Sequence, residues 1–415
     1  MPWWPLLAAA SWTGIEFTYS RFPFNGFGWM RLGYAMIDSP LASMLPLVGV
    51  ATLGFCTALA AQLLAWLVIA PSKRRTALVA SGVAGMAVLA LSGLLVPVGV
   101  QTGTTSVGYV QGGAPGGGVY GLGPVRTITR NQTAETQRLA TEVAAGSTAR
   151  PDFVVWPENG TDMDPFTDTL TNQLVKQAVA AVNVPILIGT ITDGPGPNER
   201  QTAAIVWDPV TGAQARYDKR NLVPFGEWVP LRGLLEPLFP VVAYVGAQSI
   251  PGTGPGVLNV QLPDRTVAVG DLICYEVAYD ATVHDTVLGG AQINVVQSSN
   301  AMYVGTTQVA QQFAITRTRA AELRRDVLVV TTTGTSGLIR PDGSVAFTLP
   351  EFQPASGVVE LPLRSGLTPA VWLSGWLELG GSLITVAALA LLVVRGRRRE
   401  PVRQNGSDDP IQETP

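Results

Sequence analysis

Two stretches of the chain carry no charged residue, Leu41 to Ala70 and Ala77 to Gln101. Each exceeds the roughly 20 apolar residues needed to cross a hydrocarbon core, so each predicts a membrane-spanning helix. A third apolar run, from about Val371 to Val394, has Trp372 and Trp376 near its start as interface anchors. The first residues, Met1 to Ile15, are also apolar, but the run is short and stops at Glu16. They predict a membrane helix ahead of an interfacial segment or a cleaved signal peptide. Residues 21–40 place Phe22, Phe24, Phe27, Trp29 and Tyr34 among Gly and Pro, the composition of an aromatic loop at the membrane surface.

From about residue 104 to 365 the pattern changes. Short β-rich runs recur at Val107 to Gln111, Phe153 to Trp156, Pro185 to Thr190, Ala203 to Trp207, Thr266 to Cys274, Gln292 to Gln297 and Asp326 to Thr332. Helical periodicity separates several of them, over Thr127 to Ala145, Asp168 to Val182 and Val309 to Leu323. Alternation of this kind predicts an α/β domain of sheets covered by helices. The expected organisation is membrane helices and an aromatic extracytoplasmic loop over 1–103 and a catalytic domain over 104–365. A C-terminal transmembrane helix over 366–396 and a disordered cytoplasmic tail over 397–415 follow. No internal repeat is visible.

Composition supports a membrane location: of 415 residues, 47% are hydrophobic and only 14% charged. Two basic tracts, Lys73 to Arg75 and Arg395 to Arg399, flank the apolar runs, and the positive-inside rule puts both in the cytoplasm. The domain over 104–365 is then extracytoplasmic and the chain multi-pass. A net charge of −3 without a long basic block excludes a nucleic-acid binder. Cysteine, histidine and carboxylate spacings match no metal site, and Gly252-Thr-Gly-Pro-Gly256 lacks the lysine of a phosphate-binding loop.

The candidate chemistry centres on Cys274, at the end of the apolar run Val267 to Ile273. A thiol nucleophile needs a base, and the chain's one histidine, His284, is a poor candidate. Carboxylates and lysines must serve instead. Trp156-Pro-Glu158 and Tyr217-Asp-Lys219 supply them, each after a run that reads as a strand. Taken singly, Glu158 could be a helix-terminal acid, Lys219 a solvated charge and Cys274 a core thiol.

Together with their flanks they are far more specific. Val155-Trp-Pro-Glu-Asn159, Tyr217-Asp-Lys-Arg-Asn-Leu-Val-Pro-Phe-Gly-Glu-Trp-Val-Pro230 and Ile273-Cys-Tyr-Glu276 resemble the three signature segments of the nitrilase (carbon-nitrogen hydrolase) superfamily. The Leu-Val-Pro-Phe-Gly-Glu stretch, the Cys-Tyr-Glu and the flanking membrane segments resemble, more narrowly, the apolipoprotein N-acyltransferase family. Ser299-Asn-Ala301, Arg319-Ala-Ala-Glu322, Thr333-Gly-Thr-Ser-Gly337 and Asn25-Gly-Phe-Gly-Trp29 agree, so the resemblance covers residue 1 to about 395.

That resemblance implies a nitrilase-like αββα sandwich flanked by transmembrane helices. It implies Glu158 as general base, Cys274 as nucleophile and Lys219 as oxyanion stabiliser, with the Tyr275 N–H as second oxyanion donor. Glu227 and Glu276 would position groups or substrate, against a plain ion-pair role with Lys219 or with Arg317, Arg319 and Arg324. The implied reaction moves a fatty acyl group from a membrane phospholipid to the N-terminal amine of diacylglyceryl-cysteine in an apolipoprotein, without a cofactor. Lipid bilayer, phospholipid and apolipoprotein are then the partners. The resemblance to actinobacterial relatives adds a polyprenol-phosphate mannose synthase as a candidate partner.

The chain departs from the family's pattern in three respects. It is expected to begin partway through the family's membrane bundle. Where the family has a Lys-Trp pair after Val110-Gln111-Gly112, Tyr120 is the nearest substitute, and Met302 and Gln311-Gln312 replace a Trp and a Gln-His pair. Two rival readings stay open, a membrane-tethered amidase and a non-catalytic scaffold for an envelope enzyme.

Overall fold

The computed structural model describes residues 3–118 and 121–397; Tyr120 and the polar tail from residue 398 lie outside the described residues. The chain opens with α1 (Trp4–Tyr19), α2 (Leu45–Ile69) and α3 (Lys73–Leu94). Then come β1 (Val100–Gln111), α4 (Thr127–Ala144), β2 (Phe153–Val155), α5 (Thr169–Val182), β3 (Ile186–Asp193), β4 (Glu199–Asp208) and β5 (Gly212–Asp218). After α6 (Arg232–Leu235) and β6 (Gln248–Ser249) follow β7 (Val257–Gln261), β8 (Thr266–Ile273), α7 (Asp280–Leu288) and β9 (Ile293–Ser298). The last elements are α8 (Gln308–Leu323), β10 (Val327–Thr331), β11 (Gly337–Ile339), β12 (Val345–Thr348), β13 (Ala355–Ser365) and α9 (Pro369–Arg397).

Two sheets result, in the orders β13-β1-β2-β3-β4-β5, with β6 beside β4, and β12-β11-β10-β9-β8-β7. They repeat one plan that the sequence does not reveal. In each, three parallel strands are joined by two helices and then continue into two antiparallel strands: β1, β2, β3 and on through β4 and β5; β8, β9, β10 and on through β11 and β12. Parallel neighbours need a helical crossover, and α4, α5, α7 and α8 supply it.

The sheets face each other across an apolar core that includes Val107, Phe153, Val155, Leu187, Val269 and Val295. On the first sheet's outer face α4 and α5 bury Leu139, Val175 and Val179 with Trp156. On the second sheet's outer face Val283 of α7 and Ile315 of α8 join one core with Val50 and Leu53 of α2. The α/β domain and the helix bundle thus share a continuous apolar interior, at roughly 25 cal/mol per Å² of apolar surface buried.

Among the described residues, three helices are long and apolar enough to cross a membrane, those spanning Pro40–Ile69, Lys73–Leu94 and Pro369–Val394. The predicted second span ran to Gln101, but α3 stops at Leu94. Pro97 cannot continue a helix, and Val100 already pairs with Ser365 in the sheet. The first span starts with a 3-10 turn, Pro40–Met44, and α2 begins at Leu45. At Gly49 the α2 backbone breaks helical geometry with φ 75°, which a side chain would strain; a Cβ there would also meet the Ser374 side chain at 2.5 Å. At 16 residues α1 is only about 24 Å long, and it lies against α2 and α9.

A buried ionic cluster fastens the bundle to the domain. Arg31 binds Asp280 at 2.6 Å and also pairs with Glu378 of α9. Arg319 binds Asp280 and Glu322 at 2.6 Å each, and donates to the Val277 carbonyl and the Tyr34 hydroxyl. His284 completes it, its Nε2 3.2 Å from Glu322. Burial opposes the imidazolium, but the neighbouring Glu322 and Asp280 outweigh it and raise the histidine's pKa. His284 therefore belongs to this structural cluster.

Candidate active site

Three strand ends deliver the predicted residues. Glu158 follows β2, Lys219 follows β5, and Cys274 follows β8. Glu158 and Lys219 come from one sheet and Cys274 from the other, so the site exists only across the sandwich. All three are buried.

Lys219 lies between two carboxylates. Its Nζ is 2.8 Å from Glu158 Oε1 and 2.6 Å from Glu227 Oε1. Burial opposes the ammonium, but Glu158 and Glu227 outweigh that penalty and hold its pKa well above the ordinary lysine value. The remaining oxygens are also occupied: Glu158 Oε2 accepts the Ser299 N–H at 2.9 Å, and Glu227 Oε2 accepts the Val223 N–H at 2.7 Å. Glu227, left open by the sequence between a positioning role and a structural ion pair, is the second anchor of Lys219. The turn that carries Glu158 is pinned from the opposite sheet, where Gln297 Nε2 of β9 donates to the Trp156 carbonyl at 2.6 Å. A Cβ on Gly189 would stand 2.1 Å from the Pro157 carbonyl oxygen, so only glycine admits that turn.

Cys274 sits at a backbone bend. Its φ of 54° is left-handed, a conformation that costs a residue with a Cβ of order 1–3 kcal/mol. Such strain persists where the surroundings over-determine it. Here the residue leaves the straight run of β8 and opens a 3-10 turn, Cys274–Ala278. At the head of that turn the Tyr275 N–H has no acceptor within the helix. Burial pushes the Cys274 thiol up to about 12; the Glu158 charge adds to this and Lys219 offsets part of it. This balance favours the neutral thiol of Cys274 over its thiolate. A preformed thiolate beside the ammonium, the simpler reading of a Cys-Lys pair, is not what this balance gives.

Glu276 makes none of the ion pairs with Arg317, Arg319 or Arg324 that the sequence allowed. Its Oε1 accepts from Tyr217 Oη at 2.8 Å, Arg220 N at 2.6 Å and Asn221 N at 3.2 Å. Its Oε2 accepts from Ile273 N at 2.9 Å. Burial raises its pKa, and these donors counter the rise. One carboxyl thus ties the lysine loop to the cysteine turn. Tyr217 has a part in this that sequence reasoning missed, although its place two residues before Lys219 on a strand could have signalled a shared face. Ser299, singled out only by resemblance, acts through its backbone. Asp271, on β8, is fully buried with both carboxyl oxygens unpartnered, and burial raises its pKa well above the carboxylate range.

The aromatic loop is more than a surface belt. Phe27 and Trp29 lie against the Tyr275 ring at 5.7 and 6.0 Å, and Tyr279 meets it edge-on at 5.1 Å. Phe24 packs on Trp228 at 6.3 Å. A Cβ on Gly28 would press on the Ala278 carbonyl at 2.8 Å, so the loop rests directly on the nucleophile's turn. Of the altered positions, Gln311 joins this packing. Gln311 accepts from the Trp29 indole at 2.9 Å, Gln312 accepts from Ser298 Oγ at 3.1 Å, and Met302 is left about half exposed.

Residues 118–365 match the family described as carbon-nitrogen hydrolase, and residues 1–63 match the apolipoprotein N-acyltransferase N-terminal domain. The chain is 35% identical to the apolipoprotein N-acyltransferase of Mycolicibacterium smegmatis, over 95% of this chain and 68% of that one. It is 30% identical to the protein of the same name from Ralstonia nicotianae, over 93% and 71% respectively. Among solved structures, an amidase from Nesterenkonia sp. is similar at a TM-score of 0.45 and 17% identity, covering 67% of this chain and 95% of that one.

Proposed function

The chain belongs to the apolipoprotein N-acyltransferase family, and from that premise we propose how its own residues move the acyl group. The protein is a membrane acyltransferase of the nitrilase superfamily. It transfers a fatty acyl group from a phospholipid to the N-terminal amine of diacylglyceryl-cysteine in apolipoproteins.

In our reading Cys274 Sγ attacks the phospholipid ester carbonyl while Glu158 takes the thiol proton. The oxyanion that develops is met by Lys219 Nζ and the Tyr275 N–H. The carbon–oxygen bond breaks, the lysophospholipid oxygen takes the proton back from Glu158, and the acyl group remains as a thioester. The α-amine of the lipoprotein then attacks, Glu158 accepts its proton, the carbon–sulfur bond breaks, and the thiol is restored. Glu227 and Glu276 position Lys219 and the cysteine turn. The observation that carries this is the buried Glu158–Lys219–Glu227 chain facing a strained cysteine across two sheets.

Purified protein given phospholipid alone is expected to accumulate an acyl group on Cys274, labile to neutral hydroxylamine. A diacylglyceryl lipopeptide with a free amine should discharge it, and an amine-blocked one should not. Steady release of free fatty acid without acceptor would move the assignment to a membrane-tethered hydrolase. No adduct on a folded protein would move it to a scaffold.

We further propose that the chain is multi-pass, with the catalytic domain extracytoplasmic. Gly14 of α1 packs on Ser382 and Thr385 of α9, and Arg21 on Glu378, so these helices run antiparallel. The Trp4 end of α1, the Ile69–Lys73 turn and the Arg397 end of α9 then share one side, which holds Lys73 to Arg75 and the start of the second basic tract. An impermeant thiol reagent on intact cells should label a cysteine placed at Ser147 and spare one at Ser72; the reverse pattern would invert the orientation. A polyprenol-phosphate mannose synthase as partner belongs to the same proposal, with co-purification from membranes as its check.

A further inference from the structure

The helix bundle holds a cavity that acyl transfer does not use. It measures about 530 Å³ and lies where the start of α1, the end of α2 and the start of α3 meet, lined by Trp4, Trp66, Ile69, Arg74, Arg75 and Leu78. A narrower cleft of about 230 Å³ shares Trp66, Arg74 and Leu78 with it and continues along Leu59 and Leu63 of α2. A cationic mouth therefore opens on an apolar slot.

The mouth is built rather than incidental. The Arg75 guanidinium stands 5.1 Å from the centre of the Trp66 ring and donates to the Ala70 carbonyl at 2.7 Å, which holds it at the rim. Among the described residues, the ion pairs of the chain involve none of Lys73, Arg74 and Arg75. Three adjacent cations repel one another, and a phosphodiester between two of them relieves that. Indole rings at this depth suit the headgroup boundary, and basic residues beside a membrane helix attract anionic lipid. The site is remote from the nucleophile, since α2 from Leu45 to Trp66 alone spans about 30 Å.

We propose that this cavity binds one anionic phospholipid, with its phosphodiester between Arg74 and Arg75 and an acyl chain in the slot along Leu59 and Leu63. The lipid is a ligand of the bundle and not the acyl donor, so the inference stands apart from the catalytic reading.

Native mass spectrometry of the full chain in detergent tests it, with phosphatidylglycerol and phosphatidylcholine of matched chains as probes. The wild type should retain one phosphatidylglycerol with a preference of about tenfold or more. Arg74→Gln with Arg75→Gln should abolish that preference, Arg74→Gln alone should reduce it, and Lys73→Gln should leave it largely intact. Millimolar inorganic phosphate should not displace the lipid. Acylation of Cys274 by phospholipid should be unchanged in all variants, which shows that they fold. Equal retention of the two lipids by the wild type, or a preference that survives in the double variant, would overturn the proposal. Displacement by free phosphate would also overturn it, by reducing the site to a bare anion site.

Discussion

Cys274→Ala and Glu158→Gln are each expected to abolish N-acylation of a diacylglyceryl lipopeptide, read as product by mass spectrometry. The first removes the nucleophile. The second keeps the side chain's shape and one of its two accepting oxygens, where Lys219 and the Ser299 N–H each use one, but removes the group that can take the thiol proton. Because burial holds the thiol protonated, no thiolate is in reserve, and the whole general-base contribution of about 10²- to 10⁴-fold is lost. Lys219→Met should lower kcat/KM by about 10²- to 10³-fold, the usual cost of one oxyanion donor. His284→Ala should retain acylation. Loss of activity in that variant, with the fold intact, would show that the histidine and not Glu158 serves the nucleophile.

The largest stability effect is expected at Arg319. Its side chain is 1% exposed and answers two buried carboxylates, Asp280 and Glu322, at once. Arg319→Met leaves Asp280 to Arg31 alone and Glu322 to His284 alone, and breaking a buried pair from one side costs about 3–5 kcal/mol. Arg317 on the same helix pairs with Asp38, which is 77% exposed. Arg317→Met should cost no more than about 1 kcal/mol. Thermal unfolding of the two variants in one detergent compares them directly. Equal shifts would mean that water reaches the cluster and that it does not fasten bundle to domain.

The parts legible in the sequence are those that physics writes locally. An uncharged run of twenty-odd residues has few other fates than a membrane helix, and strands buried on both faces, such as β9 and β10, read as short apolar blocks. Several strands escaped for the opposite reason: β12, exposed along most of its length, and β13, half exposed along much of its own, look like loops until a neighbour pairs with them. The α7 helix is short and weakly patterned. Glu158, Lys219 and Cys274 stood out because each ends a strand in a recognisable segment. What fixes them did not, since Gln297 on Trp156, Glu276 on the Arg220 and Asn221 amides, and Ser299 on Glu158 are contacts between distant parts of the chain. Asp271 read only as one polar letter in a strand.

The division of the site between the two sheets makes catalysis a gauge of their alignment. Glu158 and Lys219 ride on the ends of β2 and β5, and Cys274 rides on the end of β8, so no single sheet carries all three proposed groups. A slip of about 1 Å between reacting groups can cost on the order of 10²-fold in rate. Volume changes at the shared core, at Val155 or Val295 for instance, should therefore be felt first as lost turnover and only later as lost fold. Sequence drift there is filtered by chemistry before it is filtered by stability.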